Sequence, residues 1–246
     1  HFDAFVEIGG FPEAGGFETL RSRVNLLQGY VDSVVFRDVV ERHGISNLPA
    51  LRAFVRQLLR HPATMLSVHK IHADFRSRGI PASKETLLSL LAHLEDAFLV
   101  FTVPLASPSE RRRQVNPRKL YLADHGLAYA FSPAPGLDRG RLIENIVACE
   151  LARQCRDLAY AKTRSGCEVD FLATGYSGRQ RLIQVAADIS SPATFARETR
   201  ALAEASREFP DAQRLLLVET VPPRGAQAPD GIAVVPVWHW LGQPAI

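Results

Sequence analysis

Nothing in the sequence is long and apolar enough to cross a bilayer. The longest apolar stretch, Ala97 to Ala106, is interrupted by Thr102 and Pro104, whereas a spanning helix needs about 20 apolar residues. Cysteine is scarce: Cys149, Cys155 and Cys167, with no paired zinc-type spacing. An odd number without a secretory leader argues against a disulfide framework and for reduced thiols. The chain opens on His1 and has no basic-then-apolar leader. The reading is a cytoplasmic protein with something missing upstream and no membrane partner. No Gly-x-x-x-x-Gly-Lys-Ser/Thr occurs, so this chain has no P-loop to cradle ATP phosphates. Internal repeats and low-complexity tracts are also lacking.

What is there is a chain of 246 residues, 46% hydrophobic and 22% charged, the profile of a globular protein of one large or two ordinary domains. The net charge of +3 is unevenly spread. Residues 1–47 hold 4 Lys/Arg against 7 Asp/Glu, residues 48–123 hold 12 against 5, and residues 124–246 hold 13 against 14. A basic middle between mildly acidic flanks predicts a polyanion partner for the middle, set against a plain solvated basic face.

Residues 1–47 begin with Gly9-Gly10-Phe11-Pro12-Glu13, which is turn chemistry. From Glu18 to about Arg42, apolar residues at Leu20, Val24, Leu27, Val31, Val34 and Val35 predict one helix, stopped at His43-Gly44. In residues 48–123, three helices follow: Leu48–Leu59, then one from the Ser67 N-cap to Gly79, then Lys84–Asp96 capped by Ser83. Phe98–Val103 and Lys119–Leu122 read as strands of a hairpin, with Arg111, Arg112 and Arg113 in the loop between them. Helix, helix–turn–helix, then hairpin is the layout of a winged helix, which puts its third helix in the DNA major groove and its wing on the backbone. Lys84, Arg111, Arg112, Arg113 and Arg118 are the expected phosphate contacts. The exposed face of the third helix offers Lys84, Glu85, Ser89 and His93, a poor set for reading bases, so charge and shape would drive binding. The alternative is a winged helix used for protein contact.

Residues 124–246 follow the order αβββαβ(β), which suits a mixed α/β sandwich. A Pro/Gly-rich loop, Ser132 to Gly140, leads into a helix over Arg141–Gln154. Strands follow at Asp157–Lys162, Glu168–Ala173 and Arg181–Ala187, then a helix over Ala193–Glu208. Strands at Arg214–Glu219 and Ile232–Val237 flank a plain loop, Ala226 to Asp230. Side chains alternate across a strand, so Glu168 and Asp170 should share one face, with Val169 and Phe171 on the other. Gln184 and Ala186 likewise share a face, and adjacent strands would set Asp170 beside Gln184. Glu144, on the preceding helix, could add a third oxygen. Magnesium takes hard oxygen ligands, and a nuclease uses the ion to activate water and offset charge at phosphorus. Glu144 and Asp170 are the candidate ligands. Gln184 is neutral where an acid is wanted, and Ala186 offers a methyl group where a lysine would serve. Lys162 is the candidate relocated lysine.

Several phrases, in order over nearly the whole chain, give it a specific resemblance. They include Gly9-Gly10-Phe11-Pro12-Glu13, Tyr30-Val31-Asp32-Ser33-Val34-Val35-Phe36-Arg37-Asp38, and Lys119-Leu120-Tyr121-Leu122-Ala123-Asp124-His125-Gly126-Leu127. Glu144-Asn145, Glu168-Val169-Asp170-Phe171, Ile183-Gln184-Val185 and Thr194-Phe195-Ala196-Arg197-Glu198 complete them. Together they resemble the region of unknown function that follows the ATPase module in a group of prokaryotic AAA-type ATPases. The resemblance implies an α+β protein in three parts: a helical lid-like segment (1–47), a winged helix (48–123) and a PD-(D/E)xK nuclease-like, restriction-endonuclease-like domain (124–246). It implies an upstream ATP-binding module, with ATP bound only there and no cofactor required in this chain. By the same resemblance Glu144 matches the helix acid, Asp170 the strand acid, Gln184 the (D/E) position and Ala186 the lysine position. Arg197-Glu198 recurs in the same subgroup.

Three functions compete. The Gln184/Ala186 pair favours a DNA- or partner-binding region whose nuclease-like fold no longer cuts. The second is an active metal-dependent nuclease using Glu144, Asp170, Gln184 and Lys162. The third is a protein-interaction scaffold. The partners expected are DNA or another nucleic acid, the upstream ATPase module, or a second protein.

Overall fold

A computed structural model describes residues 2–132, 137–222 and 227–243. Residues 133–136 of the Pro/Gly-rich loop, and Ala226 of the later loop, lie outside the described residues. The chain divides into two compact units: His1–Thr102 with Arg118–Leu137, and Val103–Pro117 with Asp138–Ile246. Both helix and strand are well represented, so the fold class is α+β, as expected. Among the described residues no helix is long and apolar enough to cross a membrane.

In the first unit, α1 (Phe2–Ile8), α2 (Pro12–Gly15) and α3 (Leu20–Val34) lead into a π-helical segment, Val35–Glu41. The single helix expected over Glu18–Arg42 is thus divided. Apolar spacing of three and four residues does not distinguish an α-turn from the wider π-turn. Next come α4 (Leu48–Leu59), β1 (Thr64–Leu66), α5 (Val68–Ser77), α6 (Lys84–Asp96) and β2 (Val100–Val103). Asn47, Ser67 and Ser83 accept the backbone N–H groups of Ala50, Lys70 and Thr86, each satisfying an orphan donor in a first turn. Leu51, Phe54, Leu58 and Leu59 fill the core from one stripe of α4.

Both α5 and α6 end in the same way. Ile80 N–H reaches Phe75 O while Gly79 N–H reaches Arg76 O; Leu99 N–H reaches Leu94 O while Phe98 N–H reaches Glu95 O. These are paired Schellman closures needing a left-handed residue. Gly79 supplies it at φ +68, but at the second site the residue is Phe98, at φ +53 and 84% exposed. The strand expected from Phe98 therefore starts at Val100.

The connection after β2 carries α7 (Glu110–Val115), capped by Ser109 and assigned to the second unit. This corrects the loop expected for Arg111–Arg113. In that unit the connection lies along the edge of strand β4 (Asp157–Lys162): Tyr160 N–H donates to Pro104 O, Ala106 N–H donates to Tyr160 O, and the Tyr160 hydroxyl donates to Pro117 O. An otherwise open strand edge is thereby closed. Strand β3 (Arg118–Leu122) returns to the first unit, giving a sheet of order β1-β3-β2, and α8 (Gly126–Phe131) completes that unit.

The second unit continues with α9 (Arg139–Gln154), then β4, β5 (Glu168–Thr174), β6 (Gln180–Ala186), α10 (Pro192–Ala205), β7 (Gln213–Val218), β8 (Ile232–Pro236) and α11 (Val237–Leu241). Its sheet runs β4-β5-β6-β7-β8, antiparallel through β6 and parallel beyond. Helix α10 packs on β5 and β6 through an apolar cluster that includes Val169, Leu172, Leu182, Ala186, Phe195 and Leu202.

Candidate functional site

The expected alternation along β5 fails at one place. Ala159 pairs with Leu172 and Ala161 with Val169, so two residues of β5, Asp170 and Phe171, oppose Tyr160 alone. This is a β-bulge, and it puts Val169 and Leu172 in the same apolar cluster, which strict period two forbids. Bulges re-aim side chains, and here the bulge holds Asp170 against β6. Asp170 N–H donates to Gln184 Oε1 at 3.2 Å, and Asp170 Oδ2 accepts Val185 N–H at 2.9 Å. The structure therefore brings Asp170 and Gln184 together, both buried.

Gln184 is engaged at both ends of its amide. While Oε1 takes the Asp170 N–H, Nε2 donates to Glu198 Oε2 at 2.9 Å. Glu198, buried on α10, uses its other oxygen to accept Nε and Nη2 of the largely exposed Arg197 at 2.9 and 2.5 Å. The Arg197-Glu198 phrase thus connects to the candidate site through Gln184. That connection depends on how α10 docks, which no local pattern encodes. Ala186 lies in the apolar cluster at 8% exposure, with its methyl group packed among apolar side chains.

The other two candidates lie on neighbouring elements. Glu144 is half-buried on α9, a helix that packs on β6. Lys162 is exposed at the end of β4, and the register sets it opposite Glu168 rather than Asp170. Among the described residues no three His, Cys, Asp or Glu side chains gather to hold a metal ion. One Asp170 oxygen and the Gln184 carbonyl are already bound to backbone N–H groups. The three cysteines are free thiols, and burial pushes Cys155 above the usual thiol range.

Of the expected phosphate contacts, Lys84 starts α6 and Arg118 starts β3, both in the first unit. Arg111, Arg112 and Arg113 lie on α7 in the second. Arg111 and Arg112 are exposed, whereas Arg113 reaches Asp157 at 3.5 Å.

Two of the quoted phrases meet in the first unit, 114 residues apart. Asp124 Oδ2 accepts Gly10 N–H at 2.6 Å and Oδ1 accepts Gly126 N–H at 2.7 Å. Beside it, His125 Nε2 donates to Phe5 O at 2.8 Å, and its ring meets Phe5 edge-on. Gly9 has φ +99, and a Cβ there would fall 2.5 Å from Asp124 Oδ1. Burial holds the His125 imidazole below its ordinary range, although the Asp124 charge and the Phe5 carbonyl push the other way. This cluster is a structural clasp around backbone N–H groups.

That clasp lies within the stretch that fixes the family. The chain belongs to the family described as Domain of unknown function (DUF8612), which matches residues 1–138, ending where the first compact unit ends. It is similar to an uncharacterized protein, MJ1544, of Methanocaldococcus jannaschii: 29% identical over 250 residues, covering 98% of this chain and 55% of that protein. It is also similar to an uncharacterized protein of Haemophilus influenzae, 27% identical over 173 residues, covering 70% of this chain and 42% of that protein. The chain thus spans about half the length of the curated relatives it matches. No solved structure matches it.

Proposed function

We propose that the chain is the DNA- or partner-binding region of an AAA-type ATPase, with a nuclease-like second unit that does not cut. The observation that carries the non-cutting part is Gln184, whose amide is engaged at one end by the Asp170 backbone and at the other by Glu198. Ala186, buried among apolar side chains, adds to it. Cleavage of a phosphodiester with a metal needs anionic oxygens gathered around the ion and a group to stabilise developing charge. Here a neutral amide and a methyl group occupy those positions.

For the nuclease-like fold, the support is the mixed sheet, with β4, β5 and β6 between α9 and α10 in sequence and β7 and β8 after α10, and Asp170 and Gln184 on neighbouring strands. For the winged helix, it is the order α4-β1-α5-α6-β2-β3 with β3 central in the small sheet. A separate ATPase module is supported by the length of the relatives, about half of which lies beyond the matched region. The nucleic-acid reading rests on the exposed Arg111 and Arg112 and on the basic stretch 48–123.

The test is DNA binding by fluorescence anisotropy across a salt series, with cleavage followed in the same samples. Affinity should fall steeply with salt as bound counterions are displaced. Arg111→Glu/Arg112→Glu should weaken it roughly tenfold or more. Unchanged affinity in that variant would leave only the partner-binding half of the proposal.

A further inference from the structure

A second surface, unrelated to Asp170, lies wholly within the first unit. A hollow of about 510 Å³ runs between α3, α4 and α8. One wall is a stripe on α3 and the start of the π-helical segment: Leu20, Val24, Val31 and Val35. The opposite wall carries Arg52, Arg56 and Arg60, spaced four residues apart and so about 6 Å apart along α4. Leu20 is 62% exposed. Arg52 and Arg56 are exposed, and neither side chain has a hydrogen bond or ion pair among the described residues. Arg60 is held in place by donating to Phe131 O.

We propose that this groove receives an amphipathic, acid-edged α-helix from a partner protein. Its walls are all helical or helix-terminal, and none offers a strand edge. An extended peptide laid there would find no strand edge to pair with, whereas a helix satisfies its own backbone groups internally. The length fits: α3 is 15 residues, about 22 Å, room for a helix of four turns. The charge fits too. Acidic side chains on consecutive turns of the bound helix face Arg52 and Arg56, and its apolar stripe covers Leu20, Val24 and Val35. Asp32, on the α3 wall, asks for a basic residue on the opposite edge of the ligand and fixes its direction. A nucleic-acid strand matches less well, since apolar side chains and an aspartate line the hollow.

The experiment uses the whole 246-residue chain and a fluorescein-labelled peptide of about 16 residues. The peptide carries leucines at i, i+3, i+4 and i+7, glutamates on one edge and a lysine on the other. Saturable binding is expected, lost by about tenfold or more in Arg52→Glu/Arg56→Glu and, separately, in Val24→Asp. A peptide with its glutamates changed to lysine should regain affinity for the charge-reversed chain alone. Circular dichroism and thermal unfolding establish that both variants fold, as their exposed or half-exposed positions predict. Equal binding of a scrambled peptide of the same composition would overturn the proposal. So would loss of single-stranded oligonucleotide binding, with no change for the peptide, in the arginine variant.

Discussion

Gln184 and Glu198 are joined by a 2.9 Å hydrogen bond between an amide nitrogen on β6 and a carboxylate on α10. The bond fixes which way the amide points, so that its oxygen faces the backbone of Asp170. The β5–β6 strand pair is thereby closed by a neutral link, tied to the next helix.

Gln184→Ala removes the partner of a buried carboxylate and of the Asp170 N–H. It should cost about 1–3 kcal/mol in urea unfolding. Gln184→Glu should cost more at neutral pH, because it sets a carboxylate against Glu198. That pair raises the folded pKa of at least one acid, so the folded state holds more protons than the unfolded chain. The deficit is then largest at neutral pH and shrinks as pH falls. A variant as stable as the parent at pH 7 would show that the Asp170–Gln184–Glu198 link contributes nothing to stability.

Gly9→Ala should destabilise by about 2 kcal/mol or more. The added Cβ meets Asp124 Oδ1 at 2.5 Å and the Gly126 Cα at 2.9 Å, in a left-handed conformation that already strains a side chain. By contrast Gly29→Ala, where a Cβ meets nothing within 4 Å inside α3, should be neutral or stabilising by about 0.5–1 kcal/mol. Thermal unfolding of the two variants side by side separates the clasp from a general glycine effect.

Phe98→Gly should stabilise the chain by about 1 kcal/mol. It relieves a left-handed backbone at a helix end while giving up little buried surface, since Phe98 is 84% exposed. Phe98→Ala keeps the strained conformation and should not gain. If both substitutions destabilise equally, the ring itself contributes packing.

His125 should make the fold sensitive to acid. Burial lowers its folded pKa below the ordinary 6.5, so the unfolded chain binds the proton first. Its contribution is complete above about pH 6.5 and is lost as pH falls through the folded value, at no more than about 1.4 kcal/mol per pH unit. His93, lowered by burial and by His43, acts in the same direction. Melting temperatures between pH 8 and pH 5 should therefore drop more steeply for the parent than for His125→Gln. Parallel curves would assign the acid response elsewhere.

Local chemistry made much of this fold legible. The bounds of α4, the Ser67 and Ser83 caps and the Gly79 stop all follow from residues within one turn of the feature they determine. Strand β1, only Thr64–Leu66, is too short to show an alternating pattern. The arginines of α7 lack an apolar stripe, although Ser109 before Glu110 was a readable cap. At the candidate site, strand neighbours gave the meeting of Asp170 with Gln184. The bulge that turns Asp170, the engagement of Gln184 by Glu198, and the clasp between Gly10 and Asp124 depend on tertiary docking. No spacing in the sequence carries them.

Plasmid cleavage by the purified chain in magnesium or manganese, run beside Asp170→Ala, decides whether the second unit cuts. Intact supercoiled plasmid is expected with both proteins at every metal concentration. Nicking that requires the metal and disappears in Asp170→Ala would contradict it.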